Sequence, residues 1–177
     1  MSERKLDEKL RALIRDIPDF PSPGVVFKDI TPVLGDGEAF AGVVEDIARH
    51  FEGRDVNRVV GIEARGFIIA APVAYRLGAG FVPARKRGKL PWTTLGTEYV
   101  LEYAAERLEV HSDAVAAGDR VVIVDDVLAT GGTARAAVEL VRRLGAEVVG
   151  LGMIIELAFL NGREKLDDAE LYSILTY

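Results

Sequence analysis

Two adjacent carboxylates, Asp125 and Asp126, close the apolar run Val121-Val-Ile-Val124, and Ala129-Thr130-Gly131-Gly132-Thr133 follows shortly after. The run is short and β-branched, which reads as a strand buried on both faces rather than as a helix. Beyond the glycines the apolar spacing becomes helical through Leu144. At the carboxyl end of a parallel strand, side chains face the crevice where open α/β sheets bind ligands. Glycines let main-chain N–H groups close around an anion, and the following helix adds partial positive charge at its N-terminus. Thr130 and Thr133 add hydroxyl donors, so the loop suits a phosphate monoester. The aspartates would repel that phosphate, but they suit the hydroxyls of an attached sugar or a Mg²⁺ ion riding on it. A strand ending in an acid, or a helix opening after Gly or Thr, is common by itself. Together at this spacing they point to a phosphorylated sugar, its diol on the acids and its phosphate on the loop. The loop is not a P-loop, because no Lys follows the glycines, and Gly150-Leu-Gly152 lacks the GxGxxG spacing.

A second strand–loop–helix unit precedes it. Arg58-Val-Val-Gly-Ile62 reads as a buried strand that ends in Glu63-Ala64-Arg65-Gly66, with a helix expected over about 67–77. Alone, this could be a surface charge cluster; paired with the first loop, it offers a second phosphate site across one crevice. Further on, Arg85-Lys86-Arg87-Gly88-Lys89 places four cations in five residues of an otherwise acidic chain. A solvated loop, or less readily a nucleic-acid contact, would be the plainer explanation of that patch.

The segment Val121 to Thr133 resembles the phosphoribosyl pyrophosphate (PRPP) motif of type I phosphoribosyltransferases. Pro18-Asp-Phe20-Pro21 with Pro23-Gly24-Val-Val26-Phe27-Lys28-Asp29-Ile is similar to the base-binding hood of the adenine-specific branch of that family. The resemblance covers nearly the whole chain. It implies a mainly parallel central sheet flanked by helices, with an N-terminal hood and a flexible lid hairpin. The reaction implied joins adenine to PRPP, giving AMP and pyrophosphate with Mg²⁺, through an oxocarbenium-like transition state. By the same resemblance Asp125 and Asp126 hold the ribose diol, and Ala129, Thr130, Gly131, Gly132 and Thr133 take the 5′-phosphate. Arg65, Arg85, Lys86, Arg87 and Lys89 surround pyrophosphate, some of them across a homodimer interface. Val26, Phe27, Lys28 and Val127 contact adenine, chiefly through main-chain groups of Val26 and Lys28, with Lys28 standing where Arg is often found. Glu102, in Leu-Glu-Tyr103 on the lid, lies near the purine imidazole, and Tyr103 helps cover the site. No residue ligates the metal directly, since PRPP mainly holds it. A non-proline cis peptide is implied between Glu63 and Arg65.

These groups need a frame. Buried strands at Val59, Phe81, Val121 and Val148, alternating with helices, indicate a mainly parallel α/β sheet. Further strands are expected over about 147–155 and 171–175. Leu6, Leu10, Leu13, Ile14 and Ile17 fall at helical spacing, predicting a first helix over about 2–16. Four prolines within residues 17–32 exclude a helix there and leave Val26 to Lys28 as an extended piece with free main-chain groups. Tyr99 to Ala104 and Arg107 to His111 alternate like a hairpin. Trp92 reads as a lid or packing residue, His50 as a surface or helix-terminal histidine, His111 as structural, and Asn161 to Lys165 as a surface turn or short helix without chemistry.

At 177 residues, residues 1–177 form one domain, with about 1–34 as helix and hood and about 86–110 as the lid. A net charge of −6 argues against nucleic acid or anionic membrane as partners. The absence of cysteine excludes disulfides and thiol catalysis. No apolar run approaches the roughly 20 residues of a membrane span, and the charged N-terminus has no signal core, so a cytoplasmic protein is expected. The competing class is a PRPP-sensing regulatory module without turnover; a smaller departure would be another base, such as hypoxanthine, guanine, xanthine or orotate.

Overall fold

The computed structural model describes residues 3–100, 105–166 and 169–177. Its centre is a seven-stranded sheet into which the strand carrying the acid pair is set deep. In chain order the strands are β3 (Arg58–Ile62), β4 (Gly80–Lys86), β5 (Thr94–Val100), β6 (Ala105–His111), β7 (Arg120–Leu128), β8 (Glu147–Glu156) and β9 (Leu171–Thr176). Spatially the order is β5-β6-β4-β3-β7-β8-β9. The pairings β4–β3, β3–β7, β7–β8 and β8–β9 are parallel, and only the β5–β6 hairpin and its junction with β4 are antiparallel. This is the mainly parallel sheet expected from the alternation of strands and helices.

Side chains alternating along β3 and β7 feed two cores, one on each face of the sheet. Val59, Val122 and Val124 join one with Ile47, Phe51 and Ile69; Val60, Ile62, Val121 and Ile123 join the other with Leu140 and Met153. On the first face lie α1 (Glu3–Leu13), the short α2 (Thr31–Gly35), α3 (Gly37–Phe51) and α4 (Arg65–Leu77); on the second lies α5 (Gly132–Arg143). The helix at the N-terminus is shorter than its apolar spacing suggested. It ends at Leu13, because Arg15–Pro18 forms β1, paired antiparallel with β2 (Val26–Asp29). Ile17 therefore faces Phe27 across a two-stranded ribbon instead of extending the helical stripe.

Two further departures concern the elements above the sheet. The lid hairpin is not separate from it: Arg85 and Lys86 of β4 pair with Glu109 and Leu108 of β6, so the hairpin's root continues the central sheet. Two short 3₁₀ turns, Ala158–Leu160 and Gly162–Leu166, follow β8, and the second carries Gly162 against Ala129 and Gly131. Among the described residues no helix is long and apolar enough to cross a membrane.

Candidate active site

The crevice opens where two neighbouring strands part. β3 pairs with β7 only as far as Gly61 opposite Val124, whereas β7 continues beside β8 to Leu128. The strand thus runs on through the acid pair, where the sequence pattern had ended it at Val124. Asp125 and Asp126 sit at the point where β7 loses its partner on one side.

Helix starts line both walls of this gap. The peptide between Glu63 and Ala64 is cis, and α4 begins at Arg65 with no side chain capping it. α5 likewise has no side-chain cap and follows Gly131 in the left-handed region. By contrast α3, away from the gap, is capped by Asp36, which accepts from the Ala39 N–H at 2.8 Å. The uncapped N–H groups at the crevice remain available to an anion.

The acids are held tightly. A Cβ at Gly66 would lie 2.7 Å from Asp125 Oδ1 and 2.9 Å from the Val124 carbonyl, so α4 approaches β7 as closely as only glycine permits. Asp125 Oδ1 accepts the Asp126 N–H at 2.9 Å. Burial, with the charge of Asp126 added, pushes the Asp125 carboxyl well above the usual aspartate value, and Arg65 only partly opposes this. Asp126, 5% exposed, forms an ion pair through Oδ2 with Arg65 Nε, without hydrogen-bond alignment. The Arg65 guanidinium also lies 4.7 Å from the Phe27 ring centre. Arg65 therefore joins the hood to the acid pair, a cation–π contact that sequence spacing could not show.

In the hood, β1 occupies one edge of β2, which corrects the expectation of a segment with wholly free main-chain groups. Val26 and Lys28, two residues apart, present their groups to the same edge. The Lys28 ammonium is turned to Asp16 Oδ1 at 2.6 Å and lies 4.0 Å from the centre of the Tyr177 ring. Its side chain thus has a structural task of its own. Phe20 packs edge-on against Phe27 at 5.2 Å. Val127 is half-buried at the end of the acid strand and packs on the first core.

The cationic patch is partly neutralised within the chain. Glu63 accepts from Arg85 Nε at 3.2 Å, from the Lys86 main-chain N–H at 3.1 Å and from the Lys89 ammonium. Lys86 Nζ pairs with Glu106 at 2.9 Å. Arg87 is exposed and forms no ion pair among the described residues. Burial works against ionisation of Glu63, but the bonds from Lys89, Lys86 and Arg85 outweigh it and hold the carboxyl below its usual value. A depressed native pKa stabilises the fold fully above the unfolded glutamate value, and that stability is lost as pH falls through the native value. Glu63→Gln should therefore melt about 2–4 °C below the parent at neutral pH, about 1 kcal/mol for half-exposed partners. Thermal melts across the acid range should show that gap closing; a constant gap would mean that Glu63 acts through shape and not charge.

Sequence spacing assigned Arg65, Asp125, Asp126 and residues 129–133 to one crevice; the structure pairs Arg65 with Asp126 and sets residues 129–133 directly after the acid strand. Glu102 and Tyr103 lie outside the described residues. Not foreseen were Glu63, the anchor of the patch, and Gly162, whose turn backs the phosphate loop. Also missed were Tyr99 and Glu106 on the hairpin. The bare Glu63-Ala-Arg-Gly motif contained the first, but nothing local signals a contact as distant in the chain as Gly162.

Comparison with known proteins agrees with this geometry. Residues 35–176 match the model of the phosphoribosyl transferase domain family. Adenine phosphoribosyltransferase from Acidothermus cellulolyticus is 57% identical over 175 residues, covering 99% of each chain. The crystal structure of adenine phosphoribosyltransferase from Thermoanaerobacter pseudethanolicus superposes with a TM-score of 0.93 at 53% identity, covering 96% of this chain and 99% of that one. The Saccharomyces cerevisiae enzyme, crystallised with an imino-altritol bisphosphate and adenine, gives 0.93 at 37% identity over 97% and 99% of the two chains. Matched along almost its whole length by these relatives, this chain belongs to the adenine phosphoribosyltransferase family.

Proposed function

We propose that the chain transfers the 5-phosphoribosyl group from PRPP to adenine, releasing pyrophosphate and forming AMP in purine salvage. The observation that carries this reading is the meeting of three parts in one gap: the acid pair, the uncapped loop at residues 129–133, and Arg65 bridging to Phe27 of the hood.

Displacement at the anomeric carbon builds positive charge on the ribose ring, and Asp125 and Asp126 at its diol would favour that charge. Ala129, Thr130, Gly131, Gly132 and Thr133 would anchor the 5′-phosphate through main-chain N–H and hydroxyl donors. Arg65, Arg85, Lys86, Arg87 and Lys89 would receive pyrophosphate, Lys89 and Arg85 exchanging Glu63 for the ligand. Val26 and Lys28 would read the adenine edge through the main chain, with Phe27 and Val127 packing on the base. Glu102 would handle the purine proton from the lid, which excludes water from the activated sugar. Asp125 and Asp126 are hard oxygen donors, but Asp126 faces Arg65, and among the described residues no three His, Asp or Glu converge as a cage. Mg²⁺ would ride mainly on PRPP oxygens, where it would offset charge on the leaving pyrophosphate. A homodimer is supported by Ile68 and Tyr75, exposed one heptad apart on α4, and by exposed Phe81 on the adjoining β4. A cytoplasmic location suits an enzyme that draws on PRPP and free bases.

The test is pyrophosphate release from PRPP and Mg²⁺ with adenine, hypoxanthine, guanine, xanthine and orotate supplied separately. Release with adenine alone, with AMP as co-product, is the expected result. Release with another base would discard the reading of Val26 to Lys28. Silence with every base, while PRPP still binds, would make the chain a sensor.

A further inference from the structure

The β1–β2 ribbon of the hood is a sheet of its own, and among the described residues no strand pairing joins it to the seven-stranded sheet. Cation–π contacts tie β2 to the body of the chain at two neighbouring residues. Phe27 lies 4.7 Å from the Arg65 guanidinium, and the Lys28 ammonium lies 4.0 Å from the centre of the Tyr177 ring. The Lys28 side chain is only 13% exposed, so water weakens its contact little. Asp16 also holds that ammonium, at 2.6 Å, but it stands directly opposite in the ribbon's own register and gives no hold on the body.

Tyr177 is itself fixed. Its N–H donates to the Glu156 carbonyl, and its own carbonyl accepts from the Ala158 N–H, both at 2.9 Å. The Arg11 guanidinium of α1 lies 5.0 Å from the same ring centre. In the β7–β8 register Glu156 faces Leu128 and Ile155 faces Val127, and Tyr177 packs on the core that Val127 joins. Tyr177 thus stands on the strand beside Val127 and touches the hood at Lys28, the two sides between which adenine would lie. The two ties differ in one respect. Arg65 would meet pyrophosphate in the proposed reaction, so its hold on Phe27 would change as that ligand comes and goes. Neither Lys28 Nζ nor Tyr177 meets PRPP in that reading, so their contact would persist through the cycle. We propose that Tyr177 is a positioning residue for the base: by holding the Lys28 ammonium, it sets the distance between the main-chain edge of β2 and Val127. This rests on the reading of Val26 to Lys28 as the adenine edge.

The experiment is steady-state kinetics with adenine and PRPP varied in turn, on the parent, Tyr177→Leu, Tyr177→Phe, Lys28→Met and the double variant Tyr177→Leu/Lys28→Met. Leucine keeps apolar bulk and removes the ring face. It should raise the KM for adenine about five- to thirtyfold, the scale of one desolvated cation–π contact. Its kcat and its KM for PRPP should stay within twofold. Tyr177→Phe keeps the ring face and should stay within twofold of the parent in every constant. Lys28→Met also releases Asp16, so the cycle isolates what Lys28 shares with Tyr177: the double variant should exceed Lys28→Met by no more than about twofold in the KM for adenine. Lys28→Met decides alone if Tyr177→Leu does not fold, and there an adenine KM within twofold of the parent overturns the proposal. A merely structural tyrosine would lower the melting temperature and leave the KM for adenine unmoved, which overturns it too. So do an equal rise in both KM values, a failure of phenylalanine to restore the parent, and additive effects in the double variant. A parent that uses another base in place of adenine, or none, overturns the reading of Val26 to Lys28 itself, and the role of Tyr177 with it.

Discussion

Asp125→Asn is expected to melt higher than the parent at neutral pH while turning over about a hundredfold more slowly, as for loss of a group aimed at transition-state charge. Burial first, and the neighbouring Asp126 second, raise the native pKa of Asp125 above its unfolded value. Between those two values the folded chain binds more protons than the unfolded one, so stability falls as pH rises through the window. Above it, the full cost of an ionised carboxylate in that place is present. Asparagine removes the charge but keeps the Oδ1 acceptor for the Asp126 N–H, now bonded at 2.9 Å. Arg65 retains Asp126 as its partner. A gain of about 1 kcal/mol would raise the midpoint by about 2–4 °C in a chain of this size. The advantage should vanish in acid, below the ordinary aspartate value, where the parent is also neutral. Melting curves from acid to neutral pH, with kcat measured on the same samples, separate the two effects. A variant that melts lower than the parent at neutral pH would show that Asp125 is stabilising and that its charge has no cost to the fold.

That tension explains what could be read from the sequence. Asp125-Asp126 contradicts the apolar run before it, and such a local violation marks a site because the fold alone would not choose it. The glycine loop, Arg65 and the buried strands were legible for the same reason: each is a short stretch whose residue types have few other uses. Three kinds of feature were not legible. Arg15–Pro18 lies at the end of a helical stripe, and only pairing with Val26–Asp29 turns it into a strand. The extra four residues of β7 beyond Val124 depend on β8 staying alongside after β3 has ended. The neutralisation of Arg85, Lys86 and Lys89 by Glu63 and Glu106 joins residues about twenty positions apart, so a cationic run in sequence became a set of paired charges in space. In each case the deciding partner is remote, and neither periodicity nor local propensity carries that information.

Gly162→Ala should raise the KM for PRPP by about tenfold to a hundredfold while leaving the KM for adenine within about twofold, from an overpacking cost of about 1–3 kcal/mol. A Cβ on Gly162 would stand 2.1 Å from the Ala129 carbonyl oxygen and 2.9 Å from the Gly131 nitrogen. Both are main-chain atoms of the proposed phosphate loop and cannot swing aside as a side-chain tip could. The contact is reciprocal, since a Cβ on Gly131 would lie 2.3 Å from the Gly162 carbonyl, and Gly131 also has φ +79. Gly131→Ala would therefore mix backbone strain with a clash, whereas Gly162 is not in the left-handed region and isolates the clash. The loop must move outward to admit the methyl group, which displaces the N–H groups that would cradle the 5′-phosphate. In the proposed reading adenine binds at β2 and Val127, and it would use none of those groups. Gly37→Ala is the matching control: it stands at the start of α3 with no atom near its added Cβ, and its kinetics should equal those of the parent. Steady-state kinetics with each substrate varied in turn decides the matter. A PRPP KM within twofold of the parent would mean that the Gly162 turn yields to the methyl group and the loop keeps its shape, leaving the turn no part in phosphate binding.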